Sequence, residues 1–322
     1  MIRSSLGTIP PGLRYMAYGA FWFSLMSLLV KLAGERLPSM EIVFVRAVIT
    51  LALSVALLRH ARVPLRGNHR GPLLLRGLLG ALALAAFYYA LVHLPLAEAT
   101  VIQYTNPVFT AVLAGLFLGE RLGWRQSICV AASLSGVLLI ARPTALFGEA
   151  AALPPLHVLI ALAGALFSAG AYVTVRAIGS REHPLVVVFY FPLVTVPLTL
   201  PFALAGWTWP THSEWAILLG IGVTTQIGQV YFTRGLQLEP AGRATAVAYL
   251  QIVFAGVLGA LVFGDRPDAW SLTGAAVIVV STLALVRGRR PPPAAAARSA
   301  PAMDHRGATP DPERNSDVIV QR

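Results

Sequence analysis

Two stretches of this chain carry polar side chains at a spacing that could hold a ligand. Gln103, Asn106 and Thr110 stand at i, i+3 and i+7, one face of a helix, and Gln226, Gln229 and Thr233 repeat that spacing. Thr100 with Tyr104, and Thr245 with Tyr249, add i, i+4 pairs beside them. Arg46 is a lone guanidinium in an otherwise apolar run. An amide both donates and accepts, a phenol ring covers apolar surface, and a guanidinium holds a carboxylate or phosphate. That is the chemistry of holding a small polar solute, not of breaking bonds. The candidate binding set is therefore Arg46, Gln103, Tyr104, Asn106, Gln226, Gln229 and Tyr249. Two bland roles stay open beside it: the amides could bond between helices, and Arg46 could snorkel or bond to backbone carbonyls. No nucleophile elbow, phosphate loop or HExxH motif occurs, and the seven histidines are scattered, so no enzyme and no cofactor is expected.

The elements that carry these residues are membrane spans. Only 12% of the 322 residues are charged and 56% are hydrophobic, too little charge to coat a soluble domain, which carries about 25%. Apolar runs of span length fall at about 15–34, 40–58, 72–93, 96–118, 126–142, 155–176, 185–205, 214–234, 241–263 and 269–287. Ten transmembrane helices predict an all-α membrane protein. Lone Cys129 can form no intrachain disulfide. Spans five and ten are rich in small residues, which suits peripheral packing helices or a homodimer face.

Residues 1–290 hold 21 Lys and Arg against 10 Asp and Glu, and the remainder is neutral, so the net charge of +11 sits between spans. This pattern orients a chain in a bilayer and is unlike a nucleic-acid face. Arginines cluster at 59–70, after spans four, six and ten, and around Arg234 and Arg243. Both termini are thereby expected in the cytoplasm, with 206–214 outside. Arg46 lies roughly 9 Å below the outer boundary at about 1.5 Å per residue. Arg76, Lys31 and Arg176 sit nearer helix ends, where snorkelling is expected. Pro107 should free the carbonyl of Gln103 in the membrane interior.

Sliding the chain on itself by 145 residues aligns 95–122 with 240–267 without a gap. Pro95, Ala99, Thr100, Tyr104, Phe109, Gly119 and Arg121 recur as Pro240, Ala244, Thr245, Tyr249, Phe254, Gly264 and Arg266, and Glu120 meets Asp265. Each repeat holds five spans, an odd number, so the two must be inverted in the bilayer. Inverted repeats characterise secondary transporters, with the solute held near the midplane between the halves. The expected organisation is a cytoplasmic N-terminus at 1–13, a first repeat at 14–142, a linker at 143–154, a second repeat at 155–287 and a disordered cytoplasmic tail at 288–322.

Ala97-Glu98-Ala99-Thr100, Asn106-Pro107, Gly119-Glu120-Arg121 and Gly264-Asp265-Arg266 resemble the EamA-type transporters of the drug/metabolite transporter superfamily. Arg46 also falls where that family usually has an arginine. The resemblance covers about 14–287. It implies a carrier of small organic metabolites in the cytoplasmic (inner) membrane, often an exporter, whose partners are its solute and the lipid bilayer. Arginine with amide and tyrosine groups, and no buried acid, favours an anionic or zwitterionic solute such as an amino acid over a simple cation. Uptake or exchange of a nucleotide-like metabolite or vitamin is the alternative; a membrane receptor or scaffold that transports nothing is the reading from another class.

Overall fold

In the computed structural model the described residues are 9–94, 96–120, 123–141, 154–264 and 268–287. They form twelve helices: α1 (Pro11–Ala33), α2 (Ser39–His60), α3 (Arg70–His93), α4 (Leu96–Gln103), α5 (Asn106–Leu118), α6 (Trp124–Ala141), α7 (Pro155–Ile178), α8 (Pro184–Ala205), α9 (His212–Leu238), α10 (Ala241–Val247), α11 (Leu250–Phe263) and α12 (Ala269–Arg287). A single 3₁₀ turn, Gly179–Arg181, precedes α8. Ten segments are long and apolar enough to cross a membrane, because α4–α5 and α10–α11 each make one interrupted span. The expected linker and tail lie outside the described residues, apart from Pro154.

Local chemistry sets the helix limits. Proline stands in the first turn of α1, α7 and α8, where its missing N–H costs nothing. Thr211 and Glu214 close a capping box at the start of α9. Gly119 and Gly264, which the 145-residue offset superposes, end α5 and α11 at φ 66° and 70°, a left-handed conformation that favours glycine. The α8 helix persists through Pro192, Pro197 and Pro201, which the apolar pattern alone did not flag. Thr195 and Thr199 turn back to donate to the carbonyls of Phe191 and Thr195, one turn earlier in the same helix.

The packing repeats as the sequence does. The α1 helix lies on α9 and α11, and its repeat mate α7 lies on α3 and α5. Likewise α3 packs on α8 and α9 on α2, while α2 pairs with α8 and α6 with α12. Exchanging the halves thus reproduces these contacts, the internal two-fold expected of two inverted five-span repeats. Between α6 and α12, Gly136 and Gly274 let the backbones touch: a Cβ on Gly136 would sit 2.8 Å from the Gly274 carbonyl, and one on Gly274 would sit 2.6 Å from that of Gly136. The small residues of spans five and ten are used, at least in part, inside the chain. Large apolar side chains such as Leu116, Phe117 and Leu261 point outward, where a bilayer would solvate them.

Candidate functional site

The two interrupted spans meet at their breaks. In the first, Thr105 N–H bonds back to Ile102 and Val108 N–H to Thr105, both i to i−3. This tightening leaves the Tyr104 carbonyl without its helical donor, and the Tyr249 hydroxyl takes it at 2.8 Å. Tyr249 itself sits at the second break, 145 residues on, and the two rings lie 6.0 Å apart. The carbonyl caught by a side chain is therefore Tyr104's, one residue beyond the one that the position of Pro107 suggested. Nor is proline the sole cause of such a break, because Ile252 occupies its place in the second half and Ala248 and Tyr249 still make i to i−3 bonds.

The other candidates are spread over interhelical contacts. Gln103 donates to Ser168 of α7 at 3.1 Å. Gln226 exchanges bonds with Ser54 of α2 and is buried, as is Tyr249. Gln229 accepts from Arg76 Nη2 of α3 at 3.2 Å. Arg46 points at Met26 Sδ, 3.6 Å away, and lies within electrostatic reach of the Tyr88 phenol. Asn106 opens α5, and its carbonyl accepts from Thr110 at 2.7 Å. Tyr104 and Tyr249 are thus in direct contact, while Gln103, Gln226, Gln229 and Arg46 each have a different polar neighbour. Arg46, Gln103, Tyr104, Asn106 and Gln229 are partly accessible.

Polar ties join the two halves at both ends of the bundle. At the end where α1 starts (the near end), Glu182 Oε1 accepts from the backbone N–H of Asn68 at 2.6 Å and faces His69 Nδ1 at 3.0 Å. Burial alone would raise this carboxyl; the bonds from the His69 amide and ring and the Asn68 amide outweigh it and hold it below the usual carboxylate range. At the far end Arg36 Nε donates to Glu214 at 2.7 Å, and its Nη2 donates to the Trp209 carbonyl. Glu214 holds the Arg36 guanidinium above its ordinary value despite some desolvation. The 145-residue offset maps His69 onto Glu214, whereas Arg36 maps onto Arg181 and Glu182 onto Leu37, so the two ties share one equivalent position and take their second partner from adjacent ones. A cavity of about 720 Å³ opens between α1, α11 and α12, its polar lining including Ser24, Ser27, Lys31 and Ser271. None of the seven candidate residues lines it.

With this geometry in view, the family model for the EamA-like transporter family matches residues 10–142 and again 155–287. The chain belongs to the EamA-like transporter family. It is 35% identical over 286 residues to the pseudopaline exporter CntI of Pseudomonas aeruginosa, covering 88% of this chain and 99% of that protein. Solute carrier family 35 member G1 of Homo sapiens is 30% identical, over 84% of this chain and 78% of its own. The S-adenosylmethionine uptake transporter of Rickettsia felis is 26% identical, over 83% and 91% respectively. A chain from a solved crystal structure shares the fold with a TM-score of 0.75 at 19% identity, covering 86% of this chain and 98% of that one.

The EamA-type motif residue Glu120 has a structural task. Its Oε1 accepts from Arg176 Nε at 2.6 Å and its Oε2 from the Ala241 amide at 2.8 Å, so one carboxylate ties α5 to α7 and to the start of α10. Asp265, its repeat mate, lies outside the described residues. Three expectations about basic residues change. Arg176 does not snorkel but is held by Glu120 and the Gln237 carbonyl. Arg243, counted above among the loop charges, is buried and donates to the Leu285 and Val286 carbonyls that end α12. Arg76 is 5% exposed and lies over the Phe191 ring at 4.8 Å. Its place seven residues into α3 was visible, but nothing in the local sequence showed that α8 and α9 close over it. Two of the scattered histidines also meet: His93 and His157 lie 4.8 Å apart, with the Tyr89 hydroxyl 3.0 Å from His157 Nδ1.

Proposed function

We propose that this multi-pass membrane protein is a secondary transporter that exports a small anionic or zwitterionic metabolite, such as an amino acid or a derivative, across the cytoplasmic membrane by alternating access. The observation that carries this reading is the polarity of the interior. Arg46, Gln103, Asn106 and Gln229 are partly accessible cationic and amide groups, and Gln103 and Asn106 flank the break of the first interrupted span. No buried acid is expected from the sequence, yet Glu41, Glu182 and Glu239 are buried; these three, like Glu120 and Glu214, stand at helix ends, away from the middle of the spans. Interrupted helices whose backbone groups turn inward are where inverted-repeat carriers hold their solute. The name of the Pseudomonas aeruginosa relative supports export.

The near end is the cytoplasmic one in this reading, since Arg59, Arg62, Arg66 and Arg70 all lie in the 59–70 stretch there. Cysteines introduced at Asn68 and Thr211, in a background lacking Cys129, should be labelled from opposite sides of the membrane. A homodimer would use the outward faces of α6 and α12, whose Ile128 and Val280 are exposed.

Flux of candidate solutes in sealed proteoliposomes tests the function. Asn106→Ala and Gln229→Ala should insert normally and lose at least about tenfold in apparent affinity, the loss of one hydrogen bond to a charged group. Ser133→Ala, in the small-residue face of α6, should transport as wild type. Full-rate transport by both amide variants with unchanged affinity would move the site elsewhere, and no flux of any solute would favour a receptor or scaffold. The S-adenosylmethionine uptake relative supports a second reading, uptake or exchange of a nucleotide-like metabolite. Tyr88, Tyr104 and Tyr172, all partly accessible, could stack on a base. Direction is read from which side of the liposome the solute must be loaded.

A further inference from the structure

Arg76 is a buried cation whose hydrogen-bond and ring contacts among the described residues are neutral. Its guanidinium meets an amide oxygen of Gln229 through Nη2 and the face of Phe191, and its Nε–H has no partner. The Tyr172 phenol is within electrostatic reach. No Asp or Glu forms an ion pair with Arg76 among the described residues. An amide dipole and a ring face offset only part of the cost of desolvating a full charge, so a positive potential is left in the membrane interior. The local sequence builds this arrangement. Gly80 sits one turn after Arg76, and a Cβ there would lie 2.9 Å from the Phe191 ring and 3.1 Å from Arg76 Nη1. Gly77 likewise brings α3 against the Tyr190 backbone of α8. The side-on edge of the guanidinium, with its spare Nε–H, is the edge that accepts an oxyanion as a fork.

Its position matters as much as its chemistry. Arg76 stands about 9 Å from the near-end start of α3, and Arg46 about 10 Å from the far-end start of α2, at ~1.5 Å per residue. The 145-residue offset places Phe191 at the position equivalent to Arg46. The first half thus carries a cation where the second half carries the ring on which Arg76 lies. By this count the two arginines lie at similar depths from opposite ends of the bundle.

We propose that Arg76, positioned by Phe191 and Gln229, is the oxyanion seat of the near half of the pathway and receives the carboxylate or phosphate group of the solute there. This rests on the transport reading above and names a specificity-determining residue for it. The Nε–H is sealed in the conformation seen, so the anion engages it when the near half opens.

The test is thermal unfolding of the full-length protein in lipid nanodiscs, titrated with sodium acetate or sodium phosphate against acetamide at constant ionic strength. A saturable rise in midpoint with either oxyanion, absent with acetamide, is expected for wild type and for Arg59→Gln, at an exposed helix end. Arg76→Gln should weaken that response about tenfold or more, with a ligand-free midpoint no lower than wild type, because an uncompensated charge has been removed. Arg76→Lys keeps the charge without the fork and should respond more weakly than wild type. The proposal is overturned by an oxyanion response that survives in Arg76→Gln, by no response in wild type, or by Arg76→Lys binding as wild type does. It is also overturned if Arg76→Gln fails to fold and Arg76→Lys restores stability with an unchanged oxyanion response. Oxyanion binding at Arg76 without flux of any solute would sink the transport reading and leave the seat standing. Flux with no Arg76-dependent oxyanion response would do the reverse.

Discussion

Removing one oxygen from Tyr249 isolates the joint between the two halves. Tyr249→Phe keeps the buried ring beside Tyr104 and deletes only the hydroxyl that donates to the Tyr104 carbonyl at 2.8 Å. That carbonyl has lost its helical donor to the i to i−3 turn at Thr105, so the substitution leaves an acceptor without a protein partner. In water-soluble cores such an orphan costs about 1–3 kcal/mol. Interhelical bonds measured within membranes average about 0.6 kcal/mol and reach about 1.7, because the unfolded helices also find partners. Here the acceptor is a backbone carbonyl at a helix break, facing a fully buried ring, so the upper part of the membrane range applies: about 1–1.7 kcal/mol. Tyr104→Phe is the control, since it removes a hydroxyl from the equivalent position and leaves the accepting carbonyl in place. Equilibrium unfolding in mixed micelles should therefore show a loss for Tyr249→Phe and a smaller one for Tyr104→Phe. Equal losses, or none for Tyr249→Phe, would refute the view that this single bond closes the break.

Glu120→Ala removes the acceptor shared by Arg176 and the Ala241 amide and should lower stability by about 1.5–3 kcal/mol, read from the same unfolding curves. Gly274→Ala places a methyl 2.6 Å from the Gly136 carbonyl and should cost about 1–3 kcal/mol by forcing α6 and α12 apart, seen as a lower melting midpoint. The depressed Glu182 carboxyl contributes stability above its unfolded value, about 4.3, that is lost as pH falls through its lower folded value. Wild type should accordingly exceed Glu182→Gln in melting midpoint at neutral pH, with the gap closing on acidification; a gap independent of pH would assign the effect to packing instead.

Ten spans and the five-plus-five repeat were legible in the chain, since hydropathy is local and the repeat is a property of the sequence itself; the breaks within the fourth and ninth spans were not, as the second has no proline. Tyr104 and Tyr249, equivalent by the 145-residue offset, come together in space because an inverted two-fold brings equivalent positions together on its axis. Side-chain partners were not legible. Arg76 and Arg176 occupy comparable places near helix ends, yet one is enclosed by α8 and α9 over Phe191 and the other is fastened by Glu120. Gln226 and Gln229 share one helical face, yet one is consumed by Ser54 and the other meets a cation. His93 and His157 look unrelated along the chain and lie 4.8 Å apart in space. Burial in a bilayer depends on a residue's type and is set by transfer from water, so it can be read one segment at a time. The partner of a buried charge or amide depends on which helix closes over it, and that is decided only when all ten spans pack.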